Sequence, residues 1–275
     1  MIKNASYVLV AQFIAAFDTP PKIILQAYST LLKAHQVESR FLVRQALDVL
    51  LPVLPLRLGQ HSAATSAAPA DAGGAGLPAW AMLVKRILID NSASLAHTTH
   101  VYQLIAGHPE IFFPYRTQFA STLVGVLQKM CLTHSATSET RTLALDIMEL
   151  FLKWDDMLDS DEGAANDAGG LSSSRAQTTG TSMEDQMGVT GTTTSAPSTS
   201  DALLPEARRE TIVGLLLRML CLVFDFALKT TLGPRALDLL SRYLDASRWP
   251  PMHLRLTFFE RSIQQIEAQG MNQQL

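Results

Sequence analysis

The sequence predicts an all-α fold: an irregular HEAT-type α-solenoid of antiparallel helix pairs with a long disordered insert. Three observations predict it. Apolar residues recur at three- and four-residue spacing, and no stretch alternates apolar and polar residues as a half-buried strand does. Most helical stretches are apolar on more than one side, which suits rods packed between neighbours. A tract over 159–203 then loses nearly all its large apolar side chains. A compact helical bundle is the alternative arrangement of the same helices.

Residues 2–17 read as a helix. Asp18 and Thr19 offer N-cap oxygens, and Pro20 and Pro21 suit a first turn whose N–H groups lack partners in any case. The next helix, KIILQAYSTLLKAHQ, repeats Ile24, Ala27, Tyr28, Leu31 and Leu32 and is expected to end near Gln36. In SRFLVRQALDVLLPVLPLRL, residues 39–58, one stripe holds Phe41, Leu42, Gln45, Ala46, Val49, Leu50 and Val53. Leu47, Leu51 and Leu54 widen it, and Arg40, Arg44 and Asp48 hold the polar side. Pro52 has no N–H to donate and its ring clashes with the carbonyl four residues back. The helix is expected to stop or kink near Leu51, with Pro55 confirming the exit.

Residues 59–79, GQHSAATSAAPADAGGAGLPA, are small and low in complexity and read as a flexible loop. Helices resume in PAWAMLVKRILIDN, with Pro78 early, and in SASLAHTTHVYQLIAGH, with Ser92 or Ser94 as cap. Leu95, Val101, Leu104 and Ile105 form the face of the latter, and Gly107 and Pro109 punctuate its end. PYRTQFASTLVGVLQKMCL repeats Phe119, Leu123, Val126, Leu127 and Met130. Ser135 or Thr137 caps the long helix after it, with Glu139 in the first turn and a stripe of Leu143, Ile147, Leu150, Phe151, Trp154 and Leu158.

The tract over 159–203 is rich in Ser, Thr, Gly, Ala and Asp, and it cannot bury enough surface to offset its ordering entropy. As a coil of about 45 residues it spans roughly 35–40 Å root-mean-square, enough for its flanking helices to dock side by side. Three helices follow: about 205–229, then PRALDLLSRYLDAS with Gly233 and Pro234 at its start, then PMHLRLTFFERSIQQIEAQ after Trp249 and Pro250. The chain therefore divides into a helical-repeat segment over 1–158, a disordered linker over 159–203, and a continuing helical-repeat segment over 204–270. No fixed motif aligns one helix pair on another, so the repeat is irregular.

Composition excludes several function classes. The 275 residues carry a net charge of −3 and no basic stripe, which disfavours direct nucleic-acid binding. The most apolar run, residues 212–228, is broken by Arg218 and Asp225, which a membrane span would disfavour at mid-depth. Cys131 and Cys221 lie far apart in apolar helices, as buried thiols in a reducing compartment do.

No catalytic, cofactor-binding or metal-binding residue is assigned. His97 and His100, three apart, can place two imidazoles on one helix face, with His108 at the helix end, but a zinc site needs further ligands and polar-surface histidines are the plainer account. Asp155, Asp156, Asp159, Asp161 and Glu162 lack the spacing of a calcium loop and read as a solvated exit into the linker. Gly73, Gly74 and Gly76 do not join strand to helix as a phosphate cradle would, and no nucleophile-elbow, Walker or kinase signature occurs. Composition permits phosphorylation of the Ser and Thr over 172–200 without showing it. Arg40 with Arg44, and Lys85 with Arg86, are candidates to meet acidic peptides, or are solvated charges and intersegment ion pairs.

DTPPKIILQAYSTLLKAHQVESRFLVRQALDVLLPVLPLRL resembles a segment of the transformation/transcription domain-associated protein (TRRAP) family. WAMLVKRILIDNSASLAHTTHVYQLIAGHPEIFFPYRTQF, SATSETRTLALDIMELFLKWD, ETIVGLLLRMLCL and ALDLLSRYLDASRWPPMHLRLTFFERSI follow in the family's order. LLKAHQVESRFLVRQALDVLLPVLP is the most specific piece, and the alanine- and glycine-rich composition of 59–79 departs from the family pattern.

The resemblance implies a piece of the helical solenoid of a very large pseudokinase, upstream of its kinase-like end. It implies a non-catalytic scaffold in the nucleus, in histone acetyltransferase coactivator complexes such as SAGA. The implied partners are other subunits of the complex and transcription activators, received as acidic amphipathic helices in grooves between rungs, with no cofactor, no direct nucleic acid and no membrane. A helical-repeat adaptor outside transcription is the alternative. An all-helical enzyme rests on no motif.

Overall fold

The computed structural model describes residues 2–34, 40–62, 76–92, 94–133, 135–168, 204–223, 226–252, 260 and 263–264. Every regular element among them is helical: α1 (Ile2–Ala16), α2 (Pro21–Lys33), α3 (Arg40–Leu50), α4 (Val53–Ser62), α5 (Ala79–Asp90), α6 (Leu95–Gly107), α7 (Pro109–Phe112), α8 (Arg116–Leu132), α9 (Ser138–Ala168), α10 (Glu206–Arg218), α11 (Phe226–Thr231) and α12 (Gly233–Tyr243). A 3₁₀ turn, Phe113–Tyr115, precedes α8, and a π-helical turn, Met219–Val223, follows α10. No described helix is long and apolar enough to cross a membrane.

The helices stack in two layers. In one, α1 packs on α3, α3 on α6, α6 on α9, and α9 on α12. In the other, α2 packs on α5, α5 on α8, and α8 on α10. Contacts of α1 with α2, α2 with α3, α5 with α6, α8 with α9 and α10 with α12 join the layers. Successive long helices thus alternate between layers, and each rests on the helix two places along, as in a HEAT-type α-solenoid.

Helices in the middle of this stack must be apolar on several sides, and α9 shows why. Of its predicted stripe, Leu143, Ile147, Leu150, Phe151 and Trp154 are buried and Leu158 is half-buried, and Ala144, Leu145, Met148 and Leu152 on its other sides are buried too. α6, α8 and α12 together account for them. An aromatic chain crosses from α5 into α7 and α8. The Trp80 ring centroid lies 5.7 Å from those of Phe112 and Tyr115, and Phe112 lies 5.5 Å from Phe119, all edge-on. Such pairs add about 0.5–1.5 kcal/mol each beyond their burial.

Several local expectations are corrected. α3 does stop at Leu50, ahead of Pro52. Pro55 is no exit, however: it stands third in α4, where a first-turn residue has no intrahelical N–H partner to lose. α4 therefore runs through residues 59–62, and 63–75 of the expected loop lie outside the described residues. The buried face of α3 is Val43, Ala46, Leu47 and Leu50, whereas Phe41 is 77% exposed. Packing against α1, α2 and α6 selects this face from a stripe broad enough to allow others.

Thr19 and Asp18 do not cap α2. The cap position is Pro20, while the Thr19 hydroxyl donates to Phe17 O and Asp18 accepts Arg57 Nη1 at 3.0 Å. Thr137 does cap α9, accepting the backbone N–H of Thr140 at 3.2 Å. α9 continues to Ala168, past the expected start of the linker at 159, and 169–203 lie outside the described residues. The single helix expected over about 205–229 is broken by the π-helical turn, which packs against both α8 and α12. The last predicted helix falls mostly outside the described residues, of which 260 and 263–264 are helical.

Candidate functional site

The residues singled out in the sequence take structural posts. His100 is buried with Nε2 2.9 Å from Leu32 O, which ties α6 to the end of α2, while His97 is exposed. The two imidazoles therefore do not share a face. His108 Nε2 lies 3.0 Å from Asp48 Oδ1, joining the end of α6 to α3. Asp48 also meets Arg44 Nε at 3.5 Å. Burial alone would raise the Asp48 carboxyl, but the His108 hydrogen bond and the Arg44 charge outweigh it and hold the group below its ordinary range. Among the described residues no group of three His, Cys, Asp or Glu converges as metal ligands do.

Cys131 is buried, and burial pushes its thiol up to about 12 despite the Arg141 charge. It stays a protonated thiol at neutral pH, not a nucleophile. Cys221 is half-buried. Arg40 joins α3 to α9 by meeting Glu139 at 3.3 Å, and the Gln103 amide donates to the same carboxylate. Gly73 and Gly74 lie outside the described residues.

In the second half of α9, Asp155, Asp156 and Asp159 form half of a charged seam with the segment after residue 203 rather than a solvated exit, and the side chains of Asp161 and Glu162 lie outside the described residues. Arg248 reaches Asp155 at 2.7 Å, Asp156 at 2.5 Å and Asp159 at 3.6 Å. Arg242 lies 3.7 Å from Asp156. One turn and more back along α9, Arg235 spans Asp146 at 2.7 Å and Glu149 at 2.5 Å. Burial would raise Glu149, but Arg235 and Lys153 pull it below its usual range. Asp155 goes the other way: burial raises it, neighbouring Asp159 and Asp156 add to the rise, and Arg248 only partly offsets them.

Bonds to backbone carbonyls add to the seam. The Tyr243 hydroxyl donates to Met148 O at 2.6 Å, and Arg209, itself buried, donates to Pro250 O at 2.7 Å with its guanidinium 5.1 Å from the Trp249 ring centroid. Spacing along the chain carries no signal of the α9 pairs, since Arg235, Arg242, Tyr243 and Arg248 come after residue 203 and their partners before residue 169.

Three apolar grooves lie between neighbouring helices. One of about 620 Å³ separates α5 from α8, with Leu88, Tyr102 and Val126 beneath it and Ile89, Gly125 and Lys129 along its edges. A second, about 460 Å³, separates α2 from α5 and is lined by Leu25, Met82, Leu83 and Arg86. The third, about 320 Å³, lies between α1 and α2 beside Val10, Ile23 and Ala27. Leu9, Phe13, Phe17, Ile23, Met82 and Ile89 are each more than half exposed, an unusual set of large apolar side chains to leave in water.

Charge differs sharply between α2, α5 and α8 on one side and α9 on the other. α2, α5 and α8 together carry Lys22, Lys33, Lys85, Arg86, Arg116 and Lys129 against one acid, Asp90. α9, in the other layer, carries nine Asp and Glu against Arg141 and Lys153. This division is readable from the sequence once helices are assigned to layers, and the near-neutral total hides it.

Comparison with known proteins agrees with the layered fold. The family described as the Tra1 HEAT repeat ring region matches residues 1–274. The chain is 28% identical over 268 residues to the SAGA complex/NuA4 acetyltransferase complex subunit TRA1 of Saccharomyces cerevisiae, covering 95% of this chain and 7% of that protein. It is 27% identical over 293 residues to the transformation/transcription domain-associated protein of Homo sapiens, covering 96% of this chain and 7% of that protein. It is 36% identical over 155 residues to the probable transcription-associated protein 1 of Dictyostelium discoideum, covering 56% of this chain and 3% of that protein. The chain thus spans less than a tenth of the length of these relatives. No solved structure matches it. An alternating two-layer helix stack and a family match from end to end lead to one assignment: the chain belongs to the Tra1 HEAT repeat ring family.

Proposed function

We propose that this chain is a non-catalytic scaffold segment of a transcription coactivator subunit, working in the nucleus within histone acetyltransferase complexes and presenting surface to the other subunits and to activators. The observation that carries the reading is the family match over residues 1–274 on a stack whose polar groups serve as fasteners. His100, His108, Arg235 and Arg248 each hold one helix to another, so the chemistry that the sequence contains is spent on rigidity. A rigid solenoid offers extended surface at fixed spacing, which suits a protein that positions partners.

Affinity purification of the full-length protein from its own cells tests the reading. Co-purification of acetyltransferase subunits and lysine acetyltransferase activity on histones is expected. A full-length protein recovered with neither, in the company of an unrelated assembly, would overturn it.

A further inference from the structure

We propose that Ser247 is a phosphorylation site and that its phosphate opens the seam between α9 and the segment after α12. Ser247 is exposed, as are Leu244, Asp245 and Ala246 before it, and it stands beyond the end of α12 at Tyr243. Its hydroxyl donates to Asp245 Oδ1 at 2.7 Å, and its backbone N–H donates to the same oxygen at 2.9 Å. Ser121, Ser160, Thr211 and Ser241 are exposed as well, but they lie inside helices, where the backbone cannot extend into a kinase cleft without unwinding. Position selects Ser247 for a second reason. The next residue, Arg248, is the hub of the seam and meets Asp155, Asp156 and Asp159.

Charge sets the direction of the effect. Arg248 and Arg242 face three carboxylates on α9, and Asp245 adds a fourth beside Ser247. Burial and the neighbouring Asp159 and Asp156 hold the Asp155 carboxyl above its ordinary range, so the seam is already crowded with negative charge. Transfer joins Ser247 Oγ to the γ-phosphorus of ATP as the bond to the bridging oxygen breaks. ADP leaves, and the hydroxyl proton passes to the kinase's base. The product carries a charge of about −1.5 to −2. It loses the proton that Ser247 donates to Asp245 and sets a phosphate against that carboxylate, so the turn rearranges. It also competes with the α9 carboxylates for Arg248, its neighbour in the chain, and repels them once the arginine has moved. The displacement reaches α10, because Arg209 donates to Pro250 O just beyond the turn.

The test uses the full-length protein with phosphoserine installed at Ser247 by genetic encoding, followed by hydrogen exchange. Exchange in α12, and in α9 around Asp155, is expected to rise roughly tenfold over wild type while α5 is unchanged. Phosphatase treatment is expected to restore wild-type protection, which separates an opened seam from a misfolded chain. Ser247→Ala keeps the arginine contacts and is expected to exchange as wild type does. In an Arg248→Met background the phosphate is expected to lose most of its effect, because the contact it breaks is already gone.

Mass spectrometry of the protein purified from its own cells under phosphatase inhibition is expected to find phosphate on Ser247. A residue unmodified in every growth state sampled overturns the proposal. Equal exchange in α12 with and without the phosphate overturns it too, as does an effect of the same size in Arg248→Met. Loss of protection along the whole chain that phosphatase does not reverse marks misfolding in place of a local opening and also counts against it. Each of these results sinks this inference alone, since co-purification of acetyltransferase subunits tests the scaffold reading separately.

Discussion

Arg248 and Asp155 meet at 2.7 Å although 93 residues separate them in the chain. Asp155 stands near the middle of α9, and Arg248 follows α12, on the far side of the linker. The contact joins α9 to the segment that follows residue 203. Both side chains are more than three-quarters buried, so the pair is shielded from the screening that weakens surface ion pairs.

Arg248→Met should therefore open this seam locally. Hydrogen bonds between charged groups are worth about 1.5–3 kcal/mol, and the loss leaves three carboxylates crowded without their cation. Hydrogen exchange on the intact protein should show α12 losing roughly ten- to a hundredfold protection while α5 is unchanged. Unchanged exchange in α12 would show that Arg235, Arg242, Tyr243 and the apolar contacts hold the seam without Arg248.

Trp154 should be the most sensitive single site in α9. Its side chain is fully buried, and its indole N–H donates to Pro109 O at 2.9 Å. Trp154→Ala leaves a cavity and an unmet carbonyl, at a cost of about 3–5 kcal/mol. Exchange in α7 and α9 should rise together in the intact protein. Trp154→Phe keeps most of the volume and should cost much less.

His100→Leu should loosen α2 from α6. The substitution keeps an apolar filler but strips Leu32 O of a buried partner, an effect of about 1–3 kcal/mol. Proteolysis of the intact protein should then cut after α2 faster than in wild type. His97→Leu, on an exposed residue of the same helix, should leave the cutting rate unchanged.

Acid should weaken the joints at Asp48 and Glu149. Both carboxyls are held below their ordinary range in the folded protein. Their contribution is complete above the unfolded value, about 4, and is lost as pH falls through the folded one. Asp155, which is raised, runs the other way and regains stability as it protonates. Asp48→Asn should flatten the acid-side loss of protection at the α3–α6 joint. An unchanged pH profile would place the acid sensitivity elsewhere.

The isolated 275-residue chain should self-associate. Phe13 on α1 and Phe17 just after it touch, with ring centroids 4.8 Å apart, and are 56% and 58% exposed. Light scattering of the purified chain should report oligomers, and F13E/F17K should shift them towards monomer. A wild-type chain that is monodisperse and monomeric would show that this face needs no cover.

Much of the fold was legible because helical periodicity is local. The faces of α8 and α9 follow from spacing alone: Phe119, Leu123, Leu127 and Met130 in one, Leu143, Ile147 and Phe151 in the other. What failed was what depends on neighbours. Phe41 and Val43 lie on the same short helix, and only the placement of α1 and α6 decides that Val43 is covered. Pro55 breaks a helix if it ends α3 and starts one if it belongs to α4, and the residues around it permit both. Asp155 and Asp156 looked solvated because the arginine that meets them, Arg248, comes far along the chain. The grooves beside α5 could not be seen at all, since each needs two helices that are distant in sequence.

An experimental density map of the full-length protein puts the layered stack to its most direct test. It should show α1, α3, α6, α9 and α12 side by side in one layer and α2, α5, α8 and α10 in the other, with Arg248 seated on Asp155 across the linker. Helices gathered around a single central core, or the segment after the linker docked away from α9, would contradict the account.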